Sequence, residues 1–198
     1  MKKIRELLKP FLEIIFGAIV FFSYSLCLYG AGGTLALGII ATVIAAYFLT
    51  IGILKIVLGE RFSKRTKRIL LISGLSAFAC FITAASIIAM VNGGLQVNGW
   101  IILIAMTVSS FAFGLFLILS EFANSKFISR LAQLFGAVFV LTLFLCVLIP
   151  PTSPVPAKIG DISILEVGLY VAYAIMAFEA MGELQVAGAP KEEKPVQE

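Results

Sequence analysis

The sequence predicts an all-α integral membrane protein: a bundle of six transmembrane helices arranged as three parallel helical-hairpin repeats. Two properties of the composition indicate a membrane, since 61% of the 198 residues are hydrophobic and only 13% are charged. Soluble domains are about half apolar and about a quarter charged. The third observation is that the apolar residues fall into six runs, each of about the 20 residues that a helix needs to cross a bilayer. The predicted spans are 11–30, 35–58, 69–91, 100–120, 128–150 and 163–183.

The segments outside the spans are short and polar. Residues 1–10 form a basic N-terminal segment, predicted as a short interfacial helix that ends at Pro10. Residues 11–184 are the transmembrane domain, in which each backbone is expected to be helical because lipid offers it no hydrogen-bond partners. Residues 185–198 are rich in small and charged side chains and are predicted to be a disordered tail.

The connections on one side of the membrane carry turn signals. Gly-rich and Asn-Gly sequences at residues 30–33, 92–94 and 98–99 predict tight turns. The prolines of residues 150–156 end the fifth span and stiffen the loop after it. Trp100 lies where an aromatic anchor at the lipid–water interface is expected.

Positive charge is distributed unequally between the two sides. Of the 15 Lys and Arg residues, all but Lys158 fall on the side that holds both termini. By the positive-inside rule that side is cytoplasmic. The net charge of +4 is then explained by orientation in a lipid bilayer, and nucleic-acid binding is not expected. The residues on the cytoplasmic side are Lys2, Lys3, Arg5, Lys9, Lys55, Arg61, Lys64, Arg65, Lys67, Arg68, Lys126, Arg130, Lys191 and Lys194.

The three hairpins resemble one another. The first helix of each hairpin carries a glycine, and a second glycine follows 35 residues later in the first hairpin and 40 residues later in the second. The third hairpin has a methionine at the corresponding place. Every hairpin begins and ends in the cytoplasm, so the repeats are parallel, whereas inverted repeats are the commoner mark of transporters. The pairs are Gly17 with Gly52, Gly74 with Gly114, and Gly136 with Met176.

This tripled pattern resembles the HdeD-like family of small bacterial membrane proteins, known as acid-resistance membrane proteins. The resemblance rests on a Gly-centred apolar helix, a short outer turn and an apolar helix ending in Gly-Ile-Leu-x-Ile, and it is best over residues 12–58. The chain departs from the family pattern in the first outer turn, which has no proline, and at Met176. The resemblance implies a protein of the bacterial inner membrane with a role in stress or acid resistance. It supplies no catalytic residue.

Ionisable residues inside the spans are the candidates for function, because charge is costly in lipid. Glu13, Lys55 and Glu179 lie about one turn from the cytoplasmic ends of their spans, and Glu166 lies near the outer end of the sixth. Two interpretations of the first three are open: a polar layer that pairs helix ends, or an inner gate or proton sensor. Their shallow depth favours pairing, and Glu179 is the first residue to test as a sensor.

The sequence lacks the usual catalytic and cofactor motifs. With no His and a single Asp, Asp161, it offers no zinc-peptidase helix, Ser-His pair or intramembrane Asp dyad. Cys27, Cys80 and Cys146 lie within spans without a second ligand nearby, so neither a metal site nor a disulfide is expected. We therefore expect a non-enzymatic protein without a cofactor.

Two further functions are open beside the stress-associated one. The chain could be a small-solute channel or transporter with hydroxyl side chains along its path. It could also be an accessory subunit that packs a stripe of small residues against a membrane-protein partner or a second copy. The hydroxyl residues are Ser23, Ser25, Thr83, Thr107 and Ser109. The stripe along the second span is Gly38, Thr42, Ala46 and Thr50.

Overall fold

The computed structural model is helical throughout its regular secondary structure. Over the residues it describes, the chain forms six α-helices, and the first of them continues as one π-helical turn, Phe21–Ser25. The described residues are 2–25, 35–58, 61–92, 94–123, 125–151 and 164–187. The helices are α1 (Lys2–Val20), α2 (Leu35–Leu58), α3 (Lys64–Asn92), α4 (Val97–Ala123), α5 (Lys126–Leu148) and α6 (Ile164–Ala187).

Five of the six predicted spans correspond to helices with the length and composition to cross a membrane. Within the described residues these are α2 to α6. The bounds of α2 coincide with the predicted span 35–58, and the other four helices differ from their predicted spans by five residues at most. The remaining predicted span, 11–30, extends beyond Ser25 and so lies partly outside the described residues.

The prediction that a helix ends at Pro10 is wrong, because α1 runs through this residue to Val20. A proline inside a helix removes one backbone hydrogen bond and costs about 3 kcal/mol. Close packing of α2 compensates for this cost. A Cβ atom on Gly52 of α2 would lie 2.8 Å from the Pro10 carbonyl oxygen and 2.5 Å from Cγ1 of Ile14. Only a glycine lets the two backbones approach so closely, and this contact favours the continuous helix.

The turn between α3 and α4 is shorter than the sequence predicts. Gly94 has a φ of 76°, which a glycine adopts without strain, as expected of the predicted turn at residues 92–94, of which Gly93 lies outside the described residues. The predicted turn at residues 98–99 is wrong, because α4 begins at Val97. Gly99 instead lies against the backbone of Pro151, where a side chain would not fit. The Gln96 N–H donates to the Pro151 carbonyl at 3.2 Å, which ties this turn to the end of α5.

The helices pack in the order of the chain. Helices α1 and α2, α3 and α4, and α5 and α6 contact each other as hairpins. Successive hairpins meet where α2 contacts α3 and where α4 contacts α5, and α6 closes the circle against α1. Helix α6 also contacts α3. The short connections make sequential neighbours antiparallel, as in other helical bundles.

An aromatic core fills the middle of the bundle, and each of the six described helices contributes one ring to it. Tyr173 of α6 is fully buried, and its ring centroid lies 4.9 Å from that of Phe78 and 5.5 Å from that of Phe139. Its hydroxyl donates to the Leu75 carbonyl of α3 at 3.1 Å, so its polar atom is satisfied. The core rings are Phe16, Phe48, Phe78, Phe113, Phe139 and Tyr173.

The outward faces of the helices are also apolar. Large hydrophobic side chains that are more than half exposed occur on each of the described helices. A protein in water rarely exposes so much apolar surface, whereas lipid-facing helices do so routinely. Examples, one from each helix in order, are Ile15, Val43, Val91, Phe111, Leu141 and Phe178.

Candidate functional site at the charged end of the bundle

The described Lys and Arg side chains all lie at one end of the bundle, which we call the charged end. Here α1, α3 and α5 begin and α2, α4 and α6 end. The opposite end carries Glu166, which is exposed and lies in the first turn of α6. The cations at the charged end are Lys9, Lys55, Arg61, Lys64, Arg65, Lys67, Arg68, Lys126 and Arg130.

Glu13 and Lys55 form a buried ion pair between α1 and α2. Lys55 donates through Nζ to Oε1 of Glu13, and the two side chains are only 7% and 4% exposed. The glycines explain the contact, because Gly17 and Gly52 bring the two helix backbones together next to these residues. The second carboxylate oxygen of Glu13, Oε2, is also buried and has no hydrogen-bond partner among the described residues.

A second ion pair links α1 to α6. Nζ of Lys9 lies 2.6 Å from Oε1 of Glu179, whose side chain is 11% exposed. Lys9 and Glu179 both interact electrostatically with Glu13. The four residues Lys9, Glu13, Lys55 and Glu179 therefore form one charge network that joins α1, α2 and α6. It holds two positive and two negative groups and has no net charge.

The charge network brings together all three site residues predicted from the sequence, and it adds Lys9. The predicted helix end at Pro10 places Lys9 in the basic N-terminal segment, outside the predicted site. In a continuous helix Lys9 lies one turn before Glu13 on the same face. The four-residue spacing of the two residues could therefore have indicated that Lys9 belongs to the same site.

A separate ion pair joins the second hairpin. Nη2 of Arg68 on α3 lies 2.8 Å from Oε1 of Glu121 on α4, and Nε of Arg65 lies 4.0 Å from the same oxygen. The predicted spans exclude both residues of this pair, because one span begins at residue 69 and the next ends at residue 120. The hairpin geometry could have predicted the pair. Arg68 lies 24 residues before the end of α3 and Glu121 lies 24 residues after the start of α4, so the two residues are at the same height in the antiparallel hairpin.

The hydroxyl groups proposed to line a solute path mostly bond to their own helices. Thr83, Thr107 and Ser109 donate to backbone carbonyls three or four residues earlier, at 2.7 to 3.3 Å. This is the usual way in which Ser and Thr satisfy their hydroxyls inside apolar helices. The Ser23 hydroxyl is buried without a partner in the described part of the chain, and the Ser25 side chain lies outside that part.

The small-residue stripe of α2 turns from the interior to the surface. Gly38 is buried and accepts a hydrogen bond from the Thr42 hydroxyl at 2.8 Å, whereas Ala46 and Thr50 are exposed. A spacing of four residues advances by more than one helical turn, so the stripe winds around the helix. Of the stripe, only Ala46 and Thr50 are therefore exposed for contact with another helix.

Two of the three cysteines lie within described helices. Cys80 is exposed on an outward face, and Sγ of Cys146 lies 3.7 Å from Sδ of Met106. Cys27 lies outside the described residues. Among the side chains that are described, no group of three His, Cys, Asp or Glu residues is close enough together to hold a metal ion.

The charge network places two carboxylates, Glu13 and Glu179, against ammonium groups where α1 contacts α2 and α6. Comparisons of the chain with known protein families, curated proteins and solved structures found no match.

Proposed function

We propose that the chain is a six-span integral membrane protein of the bacterial inner membrane with both termini in the cytoplasm. Three observations support this. Five described helices have the length and composition of membrane spans, and their outward faces are apolar. The described cations all lie at one end of the bundle, as the positive-inside rule requires of a cytoplasmic end.

The proposed architecture is three parallel hairpins around the aromatic core. Contacts within hairpins alternate with contacts between hairpins around the bundle, as a threefold arrangement would have it. Two of the junctions also resemble each other in detail. A Cβ atom on Gly74 would lie 2.8 Å from Phe48 of the preceding hairpin, and one on Gly136 would lie 2.8 Å from Phe113.

The proposed role is non-enzymatic and associated with acid or other stress. The observation that carries it is the charge network, which places two carboxylates in the contact between α1, α2 and α6. Glu13 faces Lys55 on α2, Lys9 on its own helix and Glu179 on α6. Acidification of the cytoplasm that protonates either carboxylate removes an ion pair from this contact. The helix ends then separate or repack, which gives the membrane protein an acid-dependent conformation.

This proposal predicts the acid phenotype of three matched variants in a strain that lacks the chromosomal copy. Glu179→Gln and Glu13→Gln are expected to lower survival in acid towards that of the deletion strain, because the amide resembles the protonated carboxyl and holds the bundle in one conformation at every pH, so that no switch follows acidification. Glu166→Gln removes a carboxylate at the opposite end and is expected to survive like the wild type. Membrane levels of each protein are compared by immunoblot. Wild-type survival of both network variants at normal levels would rule out the proton-sensing role.

The aromatic core bears on the proposed alternative of a solute channel. Rings from each of the described helices occupy the space that a central path would need, and this favours a non-conducting bundle.

The accessory-subunit alternative is favoured by one observation, the exposure of Ala46 and Thr50 on α2, where small side chains would let another helix approach. Purification in mild detergent followed by mass spectrometry tests it, since a subunit would retain a stoichiometric partner.

A further inference from the structure

Among the described side chains, the charged end is balanced on one side and strongly basic on the other. Among the described side chains, the charge network on α1, α2 and α6 is neutral. Around the ends of α3, α4 and α5 there are seven cations and one carboxylate, Glu121, and the sequence adds a second carboxylate, Glu60. We call these cations the basic surface: Arg61, Lys64, Arg65, Lys67, Arg68, Lys126 and Arg130.

Most of the basic surface is exposed and unpaired. Glu121 contacts Arg65 and Arg68, and the side chain of Arg65 is still 78% exposed. The other five cations have no ion-pair partner in the described part of the chain. Unpaired charges of one sign on neighbouring helix ends add to a field that attracts anions.

The placement of these cations opposes helix stability. Lys64 and Arg68 lie one turn apart at the start of α3, and Lys126 and Arg130 lie one turn apart at the start of α5, 62 residues later. Like charges at this spacing repel each other, and cations in the first turn oppose the helix dipole. A bound anion would relieve both effects at both places.

Exposed aromatic rings lie beside the cations. Phe122, near the end of α4, is 81% exposed, and Phe127, between Lys126 and Arg130, is 70% exposed. A free inorganic anion would contact the cations alone. A phospholipid brings both parts of the matching chemistry, an anionic headgroup for the cations and acyl chains for the rings.

We propose that the basic surface binds the headgroups of anionic phospholipids, with Phe122 and Phe127 against their acyl chains. The lipid then supplies the negative charge that the basic surface lacks among the described side chains, whereas the charge network is neutral in itself. The inference rests on the proposed membrane insertion, with the charged end at the cytoplasmic leaflet.

The test measures lipid selectivity of the purified full-length protein. Native mass spectrometry of the protein in mild detergent with equal amounts of phosphatidylglycerol and phosphatidylcholine gives the ratio of the two bound lipids. The wild type is expected to retain phosphatidylglycerol in preference. Because each cation near a headgroup contributes about 1 kcal/mol, Lys64→Gln/Lys126→Gln is expected to weaken phosphatidylglycerol binding about fivefold per cation removed.

The matched control is Lys191→Gln/Lys194→Gln, which removes the same charge from the predicted tail and is expected to keep the wild-type ratio. Equal retention of the two lipids by the wild type, or an equal loss in the control variant, would overturn the proposal. So would displacement of phosphatidylglycerol by millimolar inorganic phosphate, which indicates a free-anion site, or copurification of nuclease-sensitive nucleic acid. The measurement is made in detergent and does not depend on orientation, so its failure is distinguishable from a failure of the proposed topology.

Discussion

Replacing Lys55 by methionine is expected to lower the free energy of unfolding by about 3–5 kcal/mol, because Glu13 then keeps a buried charge without its partner. The side chains of the pair are 7% and 4% exposed, so water cannot replace the lost contact. Replacing both residues, as in Glu13→Leu/Lys55→Met, is expected to restore most of the stability, since a buried ion pair is often no better than well-packed apolar side chains.

The measurement for this prediction is reversible unfolding of the purified protein in mixed detergent micelles. Arg65→Met is the control, because Arg65 is largely exposed and 4.0 Å from Glu121, so its loss should cost less than about 1 kcal/mol. If Lys55→Met is as stable as Arg65→Met, or if the double variant is less stable than the single one, the charge network does not hold α1 and α2 together.

Replacing Tyr173 by alanine is expected to cost about 3–5 kcal/mol, because it opens a cavity among rings from four other helices. Tyr173→Phe keeps the ring and loses only the hydrogen bond to Leu75, at an expected cost of about 1 kcal/mol. Phe178→Ala on the same helix is the control, since Phe178 faces outward and is more than half exposed.

The same unfolding assay orders these three variants. The expected order of destabilisation is Tyr173→Ala first, with Tyr173→Phe and Phe178→Ala close to the wild type. Equal effects of Tyr173→Ala and Phe178→Ala would contradict the placement of Tyr173 in the aromatic core, since an outward-facing side chain leaves no cavity when it is shortened.

Helix positions could be predicted where hydropathy alone decides them. The bounds of α2 match the prediction because every residue from Leu35 to Leu58 other than Thr and Lys55 is apolar or small. Helix α3 begins five residues before the predicted span because Lys64 to Arg68 are polar yet helical. Hydropathy detects the lipid-embedded part of a helix and not the turns that extend into water. The predicted helix end at Pro10 is wrong for another reason, because the cost of a proline inside α1 is offset by packing against Gly52 that no local pattern reveals.

The charge network was only partly predictable. The depth of Glu13, Lys55 and Glu179 follows from the spans, and pairing follows from the cost of an isolated charge in lipid. Lys9 required knowledge that α1 continues through Pro10. The aromatic core was not predictable, because helices that are apolar on all sides show no periodicity to distinguish Tyr173 in the interior from Phe178 on the surface.

Thiol labelling in intact cells is a direct test of whether the bundle spans a membrane with its charged end in the cytoplasm. Cys27, Cys80 and Cys146 are first replaced by alanine, and single cysteines are then introduced as Ser63→Cys at the charged end and Gln96→Cys at the opposite end, both exposed positions. A membrane-impermeant maleimide is expected to label Gln96→Cys in intact cells and Ser63→Cys only after lysis. Labelling of Ser63→Cys in intact cells, or recovery of the protein in the soluble fraction, would contradict the account.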